Sequence, residues 1–383
     1  MAEKINPASK HRAIIVPAAA IAAAHLSINA EPLLLGSLVD GLDLDVADAG
    51  LLATLELVAF GCASLATAPA VNLIRARKAA ILALLVTALA NILSMLVINF
   101  ELLAALRIAS GAGGGALAAV AYALVSRQPD SEKQFAKCYV ALFFSAMLGY
   151  LLIPFFSDPF LHRGVFGFVA AGSILTMPVM LMLDDEDGRP GATSQRSPLL
   201  SPNVILLIGG AMLLTFSDGL VWPMTERIGS GLGLGSGTIG IILALGVITG
   251  MPGLLAAGRL GSRAGTLGPI LLGMWGTAIA GLIIALAGGT PMFVIGILLK
   301  NPFFFLALPY IMAAASRLDP RGHASALLGG MLPLGAGLGP WPAGAIADQF
   351  GFPMVGWAGL GSVLVATFLF CLALWKTRHR MAH

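Results

Sequence analysis

Residues 102–125 read LLAALRIASGAGGGALAAVAYALV, 24 consecutive residues in which Arg107 is the only charged side chain. A helix rises about 1.5 Å per residue, and about 20 apolar residues cross the hydrocarbon core of a bilayer. This run is therefore long enough to span a membrane, and its arginine would lie inside. Working outward from it, similar runs fall at 14–37, 50–71, 79–98, 137–156 and 165–183. After a polar stretch they resume at 203–225, 237–257, 267–288, 291–315, 324–346 and 354–375. Twelve spans are predicted. The runs are continuous rather than alternating, which selects helices over a membrane β-barrel. Composition agrees: 58% of the 383 residues are hydrophobic and 11% are charged, against about 25% charged in a soluble domain. Too little polar surface remains to coat a water-soluble globule, which excludes a soluble enzyme, a nucleic-acid binder and a disordered scaffold.

The scarce charge is ordered along the chain. Of 22 basic residues, 18 fall in the terminal segments and in every second loop, from Lys4, Lys10 and Arg12 through to Lys376, Arg378 and Arg380. The opposite loops hold Arg163 and Arg227. Cytoplasmic segments carry the lysine and arginine excess, so both termini are expected in the cytoplasm of a cell in whose inner or plasma membrane the chain sits. An even number of spans requires the same. The first run, preceded by basic residues, reads as an uncleaved helix because it continues through Leu33–Leu35, beyond the core of a signal peptide. Glu226 and Arg227 are expected at the outer boundary, solvated. Cys62, Cys138 and Cys371 lack metal-ligand or disulfide spacing, and no metal or cofactor is expected.

The polar stretch 184–201 reads as a cytoplasmic linker between residues 1–183 and 202–383, each with six spans. The halves echo each other at an offset of 190 residues. Asn72 in TAPAVNLIRARK (67–78) aligns with Ser262 in GRLGSRAG (258–265), and Arg107 falls three residues from the counterpart of Lys300. Internal repeats of this kind are typical of secondary transporters.

Taken with these motifs, the chain resembles the major facilitator superfamily. The signature of that family's loop between spans 2 and 3, G-x-x-x-D-R-x-G-R-R/K, is matched in loop 8–9 at Gly258, Arg263 and Gly265, with Ser262 at the acidic position. In loop 2–3, Asn72 replaces the acid and the basic cluster Arg75, Arg77 and Lys78 persists. The resemblance gives these residues a gating role. Arg107-x-x-x-Gly111-x-Gly113 is similar to a motif associated with proton coupling. Gly335-x-x-x-Gly339-Pro340-x-x-Ala343-Gly344 is similar to the antiporter motif, but lies in span 11 instead of span 5. The resemblance implies two pseudo-symmetric six-helix bundles, all helical, that rock about a central solute site.

Five ionisable residues lie deep in predicted spans: Glu31, Glu56, Arg107, Asp218 and Lys300. A charge at the centre of a membrane helix costs about 2.5–3.5 kcal/mol on insertion scales, so each should meet a partner or a polar cavity. Counted at 1.5 Å per residue, all five fall roughly 10–14 Å from the outer helix ends. A carboxylate withdrawn from water can bind a proton near neutral pH, which makes Glu31, Glu56 and Asp218, with Arg107 as their ionic partner, the candidate proton-coupling residues. Arg107 can pair with Glu31 or with Glu56. Lys300 suits an organic anion or a pairing with Asp218. A purely structural role for these ion pairs is the competing reading. His25, Asn29, Tyr122, Tyr150, Trp222, Lys300 and Asn301 are the candidate solute-binding residues. His25 and Asn29 share one helix face, and Glu31 lies about 200° from Asn29.

The expected function is proton-coupled movement of a small organic solute, with export favoured. Uptake of an organic anion is one alternative; a transport-inactive sensor or assembly partner of the same fold is another. Partners are the solute, protons and lipid, with no nucleic acid. A monomer is expected, and no catalytic constellation of an enzyme is present.

Overall fold

The computed structural model describes residues 7–71, 75–128, 131–183, 201–319 and 322–380, and the described residues form helices and no strand. The linker predicted at 184–201 therefore lies, apart from Ser201, outside the described residues, as does Asn72. In chain order the helices are α1 (Pro7–Ala24), α2 (Leu26–Leu42), α3 (Val46–Thr67), α4 (Ala76–Ser94) and α5 (Phe100–Ser126). They continue with α6 (Ser131–Phe160), α7 (His162–Met180), α8 (Pro202–Val221), α9 (Thr225–Gly231) and α10 (Ser236–Leu260). The last are α11 (Leu267–Ala285), α12 (Thr290–Leu318), α13 (His323–Gly337), α14 (Pro340–Phe350) and α15 (Phe352–Arg380). Side-chain caps fix several starts: Asp45 accepts from the Asp48 amide (2.6 Å), and Asn99 from the Leu102 amide (2.8 Å). Each satisfies a backbone donor that the helix leaves free.

Among the described residues, eleven passages are long and apolar enough to cross a bilayer. The twelfth is made of α13 and α14, of 15 and 11 residues, separated at Leu338–Gly339. The sequence read 324–346 as one span; Pro340 cannot donate to the turn before it and instead starts a new helix. Two other spans are discontinuous. The first turns at His25 between α1 and α2, and the seventh passes through a tight 3-10 turn, Trp222–Met224, between α8 and α9. Pro223 sits in that turn.

The apolar core is forked. One cluster joins residues from both ends of the chain, including Leu34, Leu38, Ala49, Leu220, Met224 and Ala343. It lies at the end of the helices opposite the chain termini, which we call the distal end. At the proximal end the core divides. One prong holds early residues such as Val16, Ala80, Leu117 and Met180. The other holds late ones such as Leu207, Met274, Ile311 and Phe370. The helices of the first part meet those of the second where α3 packs on α13 and α14, α6 on α10, and α2 on α9. Along the first of these seams backbones nearly touch. A methyl on Gly50 would lie 2.4 Å from the Pro340 carbonyl oxygen, and one on Gly344 would lie 2.4 Å from that of Val46. Large apolar side chains such as Leu82, Leu175 and Phe368 are exposed around the perimeter, where lipid would cover them.

Polar ties reinforce the distal end. Asp348 accepts from the Ala47 amide (2.9 Å), Thr54 from the Trp341 amide (3.0 Å), and Asp158 accepts from Ser236. Arg227 grips Asp40 with both terminal nitrogens (2.7 and 2.8 Å) and Glu226 through Nε (2.6 Å). Glu226 is buried, with its carboxylate against Gly36. This corrects the expectation of two solvated boundary residues: α9 folds back onto α2, and a carboxylate can enter that contact because the facing residue has no side chain. The Asp40 end is half exposed, so the ion pair contributes at most about 1 kcal/mol. In a background lacking the native cysteines, Asp40→Asn should raise severalfold the rate at which a membrane-impermeant maleimide labels Ser37→Cys from the distal side. An unchanged rate would show that the pair does not hold that end shut.

Candidate functional site

Arg107 is fully buried on α5 and is held from three sides, while its Nε is buried without a hydrogen-bond partner. Its Nη1 donates to Glu56 Oε2 (3.1 Å) and Asn91 Oδ1 (3.2 Å), its Nη2 donates to Ser94 Oγ (2.7 Å), and the guanidinium lies 4.2 Å over the Phe166 ring. Glu56, on α3, accepts at its other oxygen from Ser27 (2.6 Å) and Ser110 (2.7 Å). Asn91 donates in turn to Ser110 Oγ (3.0 Å) and to the Thr87 carbonyl (2.8 Å). The structure thus selects Glu56 over Glu31 as the arginine's partner. It adds Ser27, Asn91, Ser94 and Ser110, which the sequence reading missed. Thr87, Asn91 and Ser94 follow at spacings of four and three residues, one polar stripe on an apolar helix, and that stripe was the available signal.

The glycines of the Arg107 motif explain why the network closes. A methyl on Gly111 would lie 2.0 Å from the Glu56 carbonyl oxygen, and one on Gly115 would lie 2.0 Å from that of Phe60. With no side chains there, α5 lies directly on α3 and brings Arg107 within reach of Glu56. Gly111→Val must push the two helices apart, an overpacking that costs about 1–3 kcal/mol. A lower thermal midpoint in detergent is the expected outcome; an unchanged midpoint would refute the contact.

Glu31 is also buried, and its neighbourhood differs. Among the described residues it makes no ion pair or hydrogen bond. Two other carboxylates, Glu56 and Asp218, act on it with charge of its own sign. It lines a narrow cavity of about 10 Å³ with Ser27, Leu34, Glu56, Leu57 and Arg107, at the threshold for one water molecule.

On the other side of the centre, Lys300 of α12 pairs with Asp218 of α8. Its ammonium lies 4.2 Å over the Trp222 ring and 5.9 Å from that of Phe304. Tyr150 meets Trp222 edge to face at 6.2 Å. Lys300, Asp218, Trp222 and Tyr150 are therefore brought together. In each ion pair the acid is the more open partner: side-chain exposure is 18% for Asp218 against 3% for Lys300, and 7% for Glu56 against 1% for Arg107.

The other candidates lie elsewhere. Asn301 donates to the Gly246 carbonyl (2.7 Å) and so ties α12 to α10. His25, at the turn of the first span, bonds through Nδ1 to the Ile21 carbonyl (2.9 Å) and through Nε2 to the Tyr122 hydroxyl (3.2 Å). The pair braces the first span against α5, in the proximal half. The amide nitrogen of Asn29 is buried without a hydrogen-bond partner. Of the loop residues, Arg75, Lys78, Gly258, Arg263 and Gly265 are exposed and Arg77 is half-buried, while the Ser262 side chain falls outside the described residues. Gly261 and Gly265 hold the left-handed conformations of the loop (φ +50 and +71). Tyr310 donates to the Gly261 carbonyl (3.0 Å) and Arg317 to Thr266 Oγ1 (2.5 Å), so α12 anchors loop 8–9.

A family model described as Major Facilitator Superfamily matches residues 13–316 and 207–383. No curated protein sequence matches the chain significantly. Among solved structures, a point mutant of the nucleoside transporter NupG superposes with a TM-score of 0.77 at 14% identity, covering 94% of this chain and 99% of that one. Unmutated NupG gives a TM-score of 0.73 at 15% identity, covering 95% and 98%. The human organic anion transporter MFSD10 (TETRAN) gives 0.67 at 15% identity, covering 96% and 100%. At such identities the likeness is one of fold.

Proposed function

The chain belongs to the major facilitator superfamily, and from that premise we propose that it is a secondary transporter exchanging protons for a small organic solute. The observation that carries this reading is Glu31, a buried carboxylate that makes no ion pair among the described residues and lies in one cavity with the Glu56–Arg107 pair. A carboxylate so placed is stable when it binds a proton and unstable when bare. Arg107, held by Asn91, Ser94 and Phe166, keeps a fixed positive charge one neighbour away. Asp218 extends the set of exchangeable acids toward the second part of the chain.

In this reading the two moving units are residues 1–183 and 202–383, joined by a cytoplasmic linker. The distal end faces outward and the termini lie in the cytoplasm. Breaking the Asp40–Arg227 contact would open the outward side. Export is the direction we propose, from the likeness of the Arg107 motif to the proton-coupling motif of the family. An anion-uptake reading finds less support, because Lys300 is neutralised by Asp218, which a solute anion would first have to displace.

The test is flux in proteoliposomes. A pH gradient should drive movement of at least one solute from a panel of organic cations, organic anions and nucleosides, and a protonophore should abolish it. Flux of an accepted solute at the same rate with and without the gradient would overturn proton coupling.

A further inference from the structure

We propose that Asp158 and Asp348 are positioning residues for the transport cycle, a duplicated latch that acts beside the Asp40–Arg227 clamp to hold the distal end shut. The proposal rests on the transporter reading above and adds residues which that reading does not use. Behind it stands a set of contacts that repeats at one offset. Val46 and Ser236 open α3 and α10 and stand 190 residues apart. So do Gly50 and Gly240, Tyr150 and Pro340, and Asp158 and Asp348. The structure pairs these residues crosswise between the two parts of the chain. A methyl on Gly50 would lie 2.4 Å from the Pro340 carbonyl oxygen, and one on Gly240 would lie 2.2 Å from that of Tyr150. Asp348, near the end of α14, accepts from the Ala47 amide at the start of α3 (2.9 Å). Asp158, near the end of α6, accepts from the Ser236 hydroxyl at the start of α10. One arrangement is thus built twice, α3 on α14 and α10 on α6, as two facing internal repeats would build it.

Each aspartate sits where a carboxylate stabilises a helix and where that stabilisation depends on closure. The first amides of a helix have no partner within it, and its start carries partial positive charge. A helix that caps itself keeps the cap wherever it moves, as α3 does with Asp45. Asp158 and Asp348 come from the opposite part of the chain, so their contribution exists only while the two parts touch. Glycine at 50 and 240 lets the backbones come this close. Both aspartates are exposed, so water replaces their partners once a seam parts, and the latch can close again. If each part rocks as one unit, parting α3 from α14 also parts α10 from α6, and one opening breaks both ties. The two seams are not equal in strength. Thr54 accepts from the Trp341 amide (3.0 Å) where α14 starts. Ala244 stands at the position equivalent to Thr54, and α6 runs unbroken through Tyr150. The α3–α14 seam therefore carries one tie more.

The test uses the full-length protein without its native cysteines, with Ser37→Cys as the distal reporter and a membrane-impermeant maleimide as the probe. Loss of a helix cap shifts an equilibrium by about fivefold, so Asp158→Ala and Asp348→Ala should each raise the labelling rate about fivefold. Because one opening breaks both ties, the double alanine variant should multiply the effects, to about 25-fold. Asparagine caps a helix about as well as aspartate, so Asp158→Asn and Asp348→Asn should label within about twofold of the parent. Thermal midpoints near that of the parent show the variants folded. Unchanged labelling in the double alanine variant, an effect of only one single variant, or lower midpoints without faster labelling would overturn the latch. The labelling needs neither solute nor gradient, so the two readings fail separately. Multiplied labelling in a protein that moves no solute in vesicles keeps the latch and removes transport. Gradient-driven flux with unchanged labelling keeps transport and removes the latch.

Discussion

Replacing Arg107 by methionine is expected to lower stability by about 3–5 kcal/mol, the usual cost of removing one partner of a buried ion pair, and to abolish gradient-driven transport. The loss arises less from the missing bond than from what stays behind. Glu56 would keep Ser27 and Ser110 as donors but would lose its counter-charge in the buried interior. Asn91 Oδ1 would lose its donor as well. The double variant Glu56→Gln with Arg107→Met removes both charges and should regain most of the lost stability without regaining transport. Thermal unfolding in detergent and flux in proteoliposomes read the two effects separately. If Arg107→Met melts like the wild type, Glu56 finds its charge compensated elsewhere and the pair is not what holds α3 to α5.

Glu31→Gln is expected to behave in the opposite way. Glu31 has no ionic or hydrogen-bonded partner among the described residues, so a neutral amide of the same shape leaves no orphaned charge behind. The thermal midpoint should hold steady or rise, while accumulation driven by a pH gradient falls at least tenfold and solute exchange without a gradient persists. Two acids on neighbouring helices are thus assigned to different work by the sign of their stability effect. If gradient-driven accumulation survives in Glu31→Gln, the coupling proton is bound elsewhere, with Asp218 the next position to replace.

The membrane architecture was legible because few side chains are charged and their placement is constrained by lipid. The five mid-span charges stood out for the same reason, and their similar depths suggested which could meet. Depth alone does not say which way a side chain faces across a helix pair. Arg107 was left open between Glu31 and Glu56, and the glycine seam at Gly111 and Gly115 decides it. The neutral members of the network, Ser27, Asn91, Ser94 and Ser110, were not legible singly, since isolated serines are common in membrane helices and bond their own backbone. Asn301 and Tyr310 show the converse: polar residues in a span that serve helix packing and a loop anchor. The clamp of Asp40, Glu226 and Arg227 was missed because it depends on α9 folding back after the Trp222–Met224 turn, a tertiary event without a local signature. The division of span 11 was written in Gly339-Pro340 and was read as a motif rather than as a break.

The contact between α3 and α14 has a consequence for endurance. In lipid, helices gain little from hiding apolar side chains from one another, because the surrounding tails are as oily as leucine. A contact built from backbone against backbone at Gly50 and Gly344 presents no long side chains that must find their sockets again each time it re-forms. What such a joint offers is repeatability: once the Asp348–Ala47 and Thr54–Trp341 hydrogen bonds part, it can separate and return to the same register over many cycles, with little to misplace.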